Sequence, residues 1–146
     1  SWLKLVMPDT AEKPHVSVVD DDEAVIYYLK EFLAQRGIRV TSFLSAETAL
    51  LFFNEKCPIS DQPDPKLKLF DLVLVDFKLP KINGIHLIEE ILKLSPKTPV
   101  VLMTAYASVS DAVAVMRNGA LDYIEKPLSL NKLDEVLQQA IPGHHS

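Results

Sequence analysis

Short runs of β-branched and other apolar residues alternate along the chain with longer segments whose apolar residues recur at three- and four-residue steps. Strands are predicted at 15–19, 38–43, 71–76, 98–104 and 121–125. Helices are predicted at 23–36, 46–54, 84–94, about 108–118 and 130–140. Strict alternation of this kind is typical of a parallel sheet with helices on both faces. We therefore predict an α/β fold: a single-domain, doubly wound (βα)5 sandwich with a five-stranded parallel sheet of order 2-1-3-4-5.

Polar residues stand at the carboxyl ends of four of the five predicted strands. Asp20 and Asp21 follow the first strand, Asp76 ends the third, Thr104 ends the fourth and Lys126 follows the fifth. Because the strands are parallel, their carboxyl ends share one rim of the domain, where such sheets bind ligands. Strands one and three are neighbours in the predicted order, so Asp20, Asp21 and Asp76 are expected to meet in one crevice.

Three carboxylates in one crevice repel one another. A pair about 4 Å apart costs roughly 4 kcal/mol at an effective dielectric of about 20. Protonation or a divalent cation can relieve this cost, and a small set of oxygen ligands favours Mg²⁺ or Mn²⁺. With the Lys126 ammonium, the Thr104 hydroxyl and one carboxylate as nucleophile, the set indicates phosphoryl transfer through an aspartyl phosphate.

Each of these residues also has a structural interpretation when it is taken alone. Asp22 is best read as a cap or first-turn anion of the first helix. Asp20 and Asp21 alone could be solvated loop carboxylates, and Asp76 alone could be a turn former. Their joint occurrence at strand ends on one rim favours a functional site.

The bulk composition narrows the function further. The chain has 146 residues, 48% of them hydrophobic, a net charge of −5 and the single cysteine Cys57. It lacks the basic stripe that a nucleic-acid-binding surface carries, and no apolar run approaches the roughly 18–20 residues that span a bilayer. One cysteine excludes an internal disulfide and favours a reducing compartment, so we expect a cytoplasmic domain.

The chain resembles the receiver domains of two-component response regulators, which are CheY-like in fold. The resemblance runs from His15 to Ile141 and rests on four motifs in order. These are an apolar strand ending in paired acids, a phosphoacceptor strand with a trailing Pro and Gly, a strand ending in Thr, and an aromatic residue three positions before Lys-Pro. In this sequence they read "VVDDD", "LVLVDFKLPKINGIHLI", "VVLMTAYA" and "GALDYIEKPL".

The resemblance implies a role for each matching residue. Asp76 would accept a phosphoryl group, and Mg²⁺ would lie on Asp20, Asp21, Asp76 and the backbone carbonyl of Lys78, with Asp21 the more direct ligand of the first pair. Lys126 would pair with the phosphoryl oxygens, and the bond between Lys126 and Pro127 would be cis. Thr104 and Tyr123 would form a switch, in which Thr104 moves toward the phosphate and Tyr123 turns inward. That switch would change the surface formed by helix four, strand five and helix five.

The resemblance also implies partners. The phosphoryl donor would be a sensor histidine kinase or a phosphotransfer protein, and an output domain beyond the C-terminus and a phosphorylation-linked homodimer are further expectations. No direct nucleic-acid or membrane binding is expected, and the only catalysis expected is self-phosphorylation from small donors and autodephosphorylation. Asn83 departs from the family pattern, since an aspartate is common there.

Three other functions share parts of this pattern. A haloacid-dehalogenase-like phosphohydrolase would use Asp20 as nucleophile in a DxD motif with Asp22, but no second acidic pair follows Lys126 and the length leaves no room for a cap domain. A pseudo-receiver would act as an interaction module without phosphorylation. A flavodoxin-like FMN protein would need a Ser/Thr/Gly phosphate loop after the first strand, which is missing here.

Segments outside the alternating pattern are interpreted as loops or tails. Residues 55–70 contain three prolines and no periodicity, which predicts an extended loop at the end of the sheet opposite the crevice. A tolerated surface insertion is the favoured interpretation of this loop, and a partner contact is the alternative. Residues 1–14 and 142–146 are predicted tails on either side of a domain at 15–141.

Overall fold

The computed structural model describes residues 13–58, 61–62, 64–105 and 108–143. Most of the predicted N-terminal tail and the end of the predicted C-terminal tail therefore lie outside the described residues. No helix in the described part of the chain combines the length and the apolar character needed to cross a membrane.

Five strands and five helices alternate along the chain, as predicted. The strands are β1 (His15–Val19), β2 (Arg39–Phe43), β3 (Leu72–Asp76), β4 (Val100–Thr104) and β5 (Asp122–Glu125). The helices are α1 (Glu23–Ala34), α2 (Ala46–Lys56), α3 (Gly84–Leu94), α4 (Val109–Arg117) and α5 (Leu130–Ala140). All strand pairs are parallel and the order is β2-β1-β3-β4-β5, which confirms the predicted topology.

The core lies on both faces of the sheet, because alternate residues of a strand point to opposite sides. Val73 and Val75 of β3 pack on the side covered by α2, α3 and α4, whereas Leu72 and Leu74 pack on the side covered by α1 and α5. Every residue of β3 and β4 is buried, as expected for central strands covered on both faces. This arrangement holds the carboxyl ends of the central strands in a rigid frame.

Side-chain caps account for where the helices begin. Asp22 accepts a hydrogen bond from Ala24 N, and Ser45 accepts one from Thr48 N. The other N-cap residues are Asn83, Ser108 and Ser129. Asn83, the departure from the family pattern, thus has a structural role at the start of α3.

The first helix ends in the arrangement that its glycine predicts. Gly37 has a φ of 71°, its N–H donates to Ala34 O, and Ile38 N donates to Leu33 O. These two bonds form the Schellman motif, in which a left-handed glycine closes the helix. The regular hydrogen-bonding pattern stops at Ala34, two residues before the predicted end, because the last turn already belongs to this motif.

Both ends of the predicted loop at 55–70 have a defined structure. Helix α2 continues to Lys56, and Phe70 is buried in the core. Leu69 N donates to the hydroxyls of both Ser95 and Thr98, at 2.9 Å each. Strand β4 accordingly begins at Val100 and not at residue 98, since Thr98 is engaged in the turn with Ser95 and Pro99 lacks an N–H.

Candidate functional site

The carboxyl rim of the sheet encloses a cavity of about 510 Å³. The five side chains predicted for the crevice all line it: Asp20, Asp21, Asp76, Thr104 and Lys126. The cavity is also lined by Asp22, by Pro80 of the phosphoacceptor motif, and by three residues that sequence reasoning did not single out, which are Phe77, Leu79 and Ala105. These three stand within three positions of Asp76 or Thr104 in the sequence, so their proximity to predicted site residues was the available signal.

Three carboxylates converge in the cavity. One oxygen from each of Asp20, Asp21 and Asp76 lies within 4.8 Å of the other two. Asp20 is fully buried and Asp76 is 6% exposed, whereas Asp21 is open to solvent. The cluster therefore has two carboxylates fixed in the protein and one at its solvent-facing side.

Lys126 bridges two of the three carboxylates. Its Nζ lies 2.8 Å from Asp76 Oδ1 and 3.0 Å from Asp20 Oδ2. Burial by itself lowers the pKa of Lys126, but its hydrogen bonds to Asp76 and Asp20 and their charges outweigh this effect and raise the pKa. Lys126 is therefore an ammonium ion at neutral pH, and its charge lies against two of the three converging carboxylates.

The first carboxylate of the sequence triplet is the most constrained. Asp20 Oδ1 accepts a hydrogen bond from Asp22 N at 2.9 Å, and its other oxygen faces Lys126. Burial raises the pKa of Asp20, and the charge of Asp76 adds to this, although the bonds from Asp22 N and Lys126 oppose it. Asp22 itself caps α1, so the triplet is one buried acid, one exposed acid and one helix cap.

The segment after Asp76 is held closely against the sheet. Phe77 N donates to Met103 O at 2.8 Å, and Gly84 N donates to Phe77 O at 2.8 Å. Ile82 N donates to Pro80 O across Lys81, whose φ of 70° is unusual for a residue with a side chain. These bonds fix a compact loop along one wall of the cavity, and the predicted ligand residue Lys78 lies on that wall.

The predicted switch residues lie on neighbouring strands but in different surroundings. Thr104 is 3% exposed and lines the cavity with the carboxylates. Tyr123 is half-buried on β5 and lines a second cavity of about 490 Å³ with Asp122 and Lys132, so it does not line the acidic cavity. Lys126 N donates to Thr104 O, which fixes the start of the Lys126–Pro127 segment, and the peptide bond between those residues is cis.

Comparison with known protein families decides which family has this arrangement. The family model described as "Response regulator receiver domain" matches residues 16–138. The chain is a response regulator receiver domain. This confirms the family inferred from the sequence motifs, and the match gives no support to a phosphohydrolase or a pseudo-receiver.

Individual relatives agree with the family model. The transcriptional regulatory protein ZraR of Salmonella typhimurium is 36% identical over 129 residues, which cover 88% of this chain and 26% of that protein. The regulatory protein AtoC of Escherichia coli is 34% identical over 126 residues, which cover 86% of this chain and 25% of that protein. The receiver domain thus spans about a quarter of the length of these curated relatives.

Solved structures show the same fold. The crystal structure of a response regulator receiver domain protein from Clostridium thermocellum has a TM-score of 0.74 and 27% identity to this receiver domain, and the match covers 88% of this chain and 94% of that one. The receiver fold is therefore supported by sequence and by structure over nearly the whole domain.

The donor set suits the metal that receiver domains bind at their acidic cluster. All three converging side chains offer hard carboxylate oxygens, which Mg²⁺ and Mn²⁺ prefer over nitrogen or sulfur ligands. Three carboxylates converge here, and burial together with the charge of Asp76 disfavours the ionised form of Asp20, so added positive charge would stabilise the cluster. A divalent cation would supply that charge, so the residues present fit the group.

Proposed function

We propose that Asp76 of this receiver domain accepts a phosphoryl group from a phosphohistidine of a sensor histidine kinase or phosphotransfer protein. The observation that supports this most strongly is the position of the Asp76 carboxylate. It lies in the cavity at the end of β3, 2.8 Å from the Lys126 ammonium and beside two further acids. Asp20 is fully buried and Asp21 is exposed, whereas Asp76 is 6% exposed and lies against Lys126 in the lining of the cavity.

In the proposed transfer, a carboxylate oxygen of Asp76 attacks phosphorus and forms the new P–O bond. The P–N bond to the donor imidazole breaks, its electron pair stays on the imidazole nitrogen, and that nitrogen takes up a proton from water. Lys126 neutralises charge on the phosphoryl oxygens, and the Thr104 hydroxyl donates a hydrogen bond to them. Asp20, Asp21, Asp76 and the Lys78 carbonyl would hold Mg²⁺ or Mn²⁺, which supplies positive charge to the transferring group when bound.

The proposed consequence is a switch that extends to β5. Attraction of Thr104 toward a phosphoryl group on Asp76 would open space behind it, and Tyr123 would turn inward from its half-buried position to fill that space. This movement would change the surface formed by α4, β5 and α5, and so alter contact with an output domain, a partner or a second copy of the chain. Catalysis by the domain alone would be limited to self-phosphorylation from small donors and autodephosphorylation.

Intact-protein mass spectrometry after incubation with acetyl phosphate and MgCl₂ tests the proposal. We expect the mass gain of one phosphoryl group in the wild type, loss of that gain when the metal is chelated, and no gain in Asp76→Asn. Asp22→Asn is a matched control, because asparagine caps a helix as well as aspartate does. This control should keep most of the phosphorylation.

Two outcomes would contradict the proposal. A phosphoryl group that persists in Asp76→Asn, and maps to another residue by peptide sequencing, would show that the acceptor has been misassigned. A steady release of phosphate that disappears in Asp20→Asn but survives in Asp76→Asn would point instead to a phosphohydrolase.

A further inference from the structure

One glycine lies in direct contact with the backbone of the proposed phosphoacceptor. Gly84 is the first residue of α3 and is buried. A Cβ atom built on Gly84 would overlap the carbonyl oxygen of Asp76, and would lie 2.8 Å from the Cα of Phe77 and 2.9 Å from Cδ1 of Leu102. Two of these three atoms belong to the backbone and cannot rotate away.

The other glycines of the described chain are not placed in this way. A Cβ on Gly37 or Gly143 would meet no atom of the described residues within 4 Å, and one on Gly119 would meet Cδ1 of Leu92 at 3.2 Å. Their need for glycine comes from positive φ values of 71°, 84° and 97°, respectively. Gly84 is needed because the backbone passes too close for a side chain, and two of the three atoms it approaches belong to Asp76 and Phe77, which line the acidic cavity.

Neither side of this contact is free to move on its own. Helix α3 is fixed to the sheet by Leu87, Ile88 and Ile91, all of which are fully buried. The other side is fixed by the bond from Phe77 N to Met103 O, and Gly84 N itself donates to Phe77 O. A methyl group at Gly84 must therefore displace the Asp76–Phe77 peptide, the start of α3, or both.

We infer that Gly84 is a positioning residue for the acidic cavity: its missing side chain sets where the Asp76 carboxylate and the adjoining backbone of Lys78 lie. The inference rests on the proposed function for its catalytic consequence, but its structural part concerns position alone. Among the carboxylates that converge within 4.8 Å, Asp76 ends β3 whereas Asp20 and Asp21 follow β1, so a displacement of Asp76 is not shared by Asp20 or Asp21. Misplacement of a reacting group by about 1 Å can lower a rate by about 100-fold.

The test compares Gly84→Ala with Gly37→Ala in the full chain. Both variants add one methyl group, and Gly37→Ala destabilises through its left-handed backbone at a distance from the cavity. All measurements are made in trimethylamine N-oxide at a concentration that keeps every variant folded. The readouts are backbone amide chemical shifts without metal, Mg²⁺ affinity by calorimetry, and the rate of phosphorylation by acetyl phosphate.

We expect Gly84→Ala to shift the amide signals of residues 76–78, to weaken Mg²⁺ binding by about tenfold, and to slow phosphorylation by about tenfold to 100-fold. Gly37→Ala should keep wild-type values in all three measurements. The double variant Gly84→Ala/Leu102→Val removes the side-chain contact but leaves both backbone contacts, so it should not recover Mg²⁺ affinity.

Two results would overturn the inference. The first is a Gly84→Ala protein with unchanged amide shifts at residues 76–78 and wild-type Mg²⁺ affinity. The second is full recovery of affinity in the double variant, which would assign the effect to Leu102. A wild type that shows no phosphorylation while the amide shifts behave as expected would refute the proposed function and leave the positioning role standing.

Discussion

The two ends of the sheet differ in how their buried polar side chains are paired. At the amino-terminal end, the hydroxyls of Ser95 and Thr98 lie 2.6 Å apart and both accept from Leu69 N, the neighbour in sequence of Phe70, whose ring packs against that of Phe53. At the carboxyl rim, three carboxylates converge and the Lys126 ammonium lies against two of them. The two hydroxyls are paired within the protein, whereas the carboxylates repel one another, a cost that a bound cation would reduce.

The aromatic side chains that stabilise the core and the carboxylate proposed as phosphoacceptor therefore lie at opposite ends of the same strand. Strand β3 begins beside these aromatic side chains and ends in Asp76, only five residues in all. Changes at the two ends should therefore differ in how the loss of stability responds to Mg²⁺.

The largest effect is expected at the amino-terminal end, from Phe53→Ala. Phe53 is fully buried and contacts the Phe70 ring at a centroid distance of 5.7 Å. Removing such a side chain costs about 3–5 kcal/mol, through lost burial and the cavity that remains. Urea unfolding should give the same loss in the free energy of unfolding with and without Mg²⁺. A loss that becomes smaller in Mg²⁺ would contradict the idea that the amino-terminal end is independent of the metal site.

A smaller effect that does depend on Mg²⁺ is expected from Lys126→Met. Removing one partner from a buried ion pair costs about 3–5 kcal/mol, and because the Lys126 side chain is 21% exposed we expect about 2 kcal/mol without metal. The loss should shrink at saturating Mg²⁺, since the cation replaces the missing positive charge. Lys132→Met is the control: Lys132 pairs with Asp122 away from the acidic cavity, so its loss should not respond to Mg²⁺.

Between the two ends, one substitution is expected to stabilise the domain. Ser17 lies in the middle of β1, fully buried, and within the described part of the chain its hydroxyl has no hydrogen-bond partner. Ser17→Ala should therefore raise the free energy of unfolding by about 1 kcal/mol, independently of Mg²⁺. Ser45→Ala should lower it by about 1 kcal/mol, because that hydroxyl caps α2. A loss in Ser17→Ala would show that the hydroxyl is satisfied after all.

The smallest effect is a change in pH dependence at the rim. Burial raises the folded-state pKa of Asp20 above its ordinary value of 3.8. The stability that its protonated form contributes is fully present below pH 3.8 and is lost as the pH rises through the folded pKa. In metal-free urea titrations, Asp20→Asn should remove this decline over that interval. An unchanged pH profile in Asp20→Asn would contradict the raised pKa of Asp20 as the cause of the decline in stability.

The sequence was most informative where a pattern follows a fixed period. Alternation of strands and helices and the polar strand ends predicted the topology and brought Asp20, Asp76 and Lys126 to one rim. It was less informative where tertiary contacts decide the structure. Leu69 and Phe70 fall in a proline-rich segment without periodicity, yet Phe70 is buried in the core and Leu69 N is bonded to Ser95 and Thr98, which lie 26 and 29 positions further along the chain. The position of Gly84 against Asp76 likewise depends on the docking of α3 and not on its neighbours in the chain.

The ion pairs of Lys126 join residues that are far apart both in the sequence and in the order of strands. Asp20 and Lys126 are 106 positions apart, and β3 and β4 lie between the strands that carry them. The complete charged site therefore requires β3 on β1, β4 on β3 and β5 on β4 at the same time. A chain in which β5 is undocked holds Asp20 and Asp76 without the ammonium of Lys126, and so does not present the complete site.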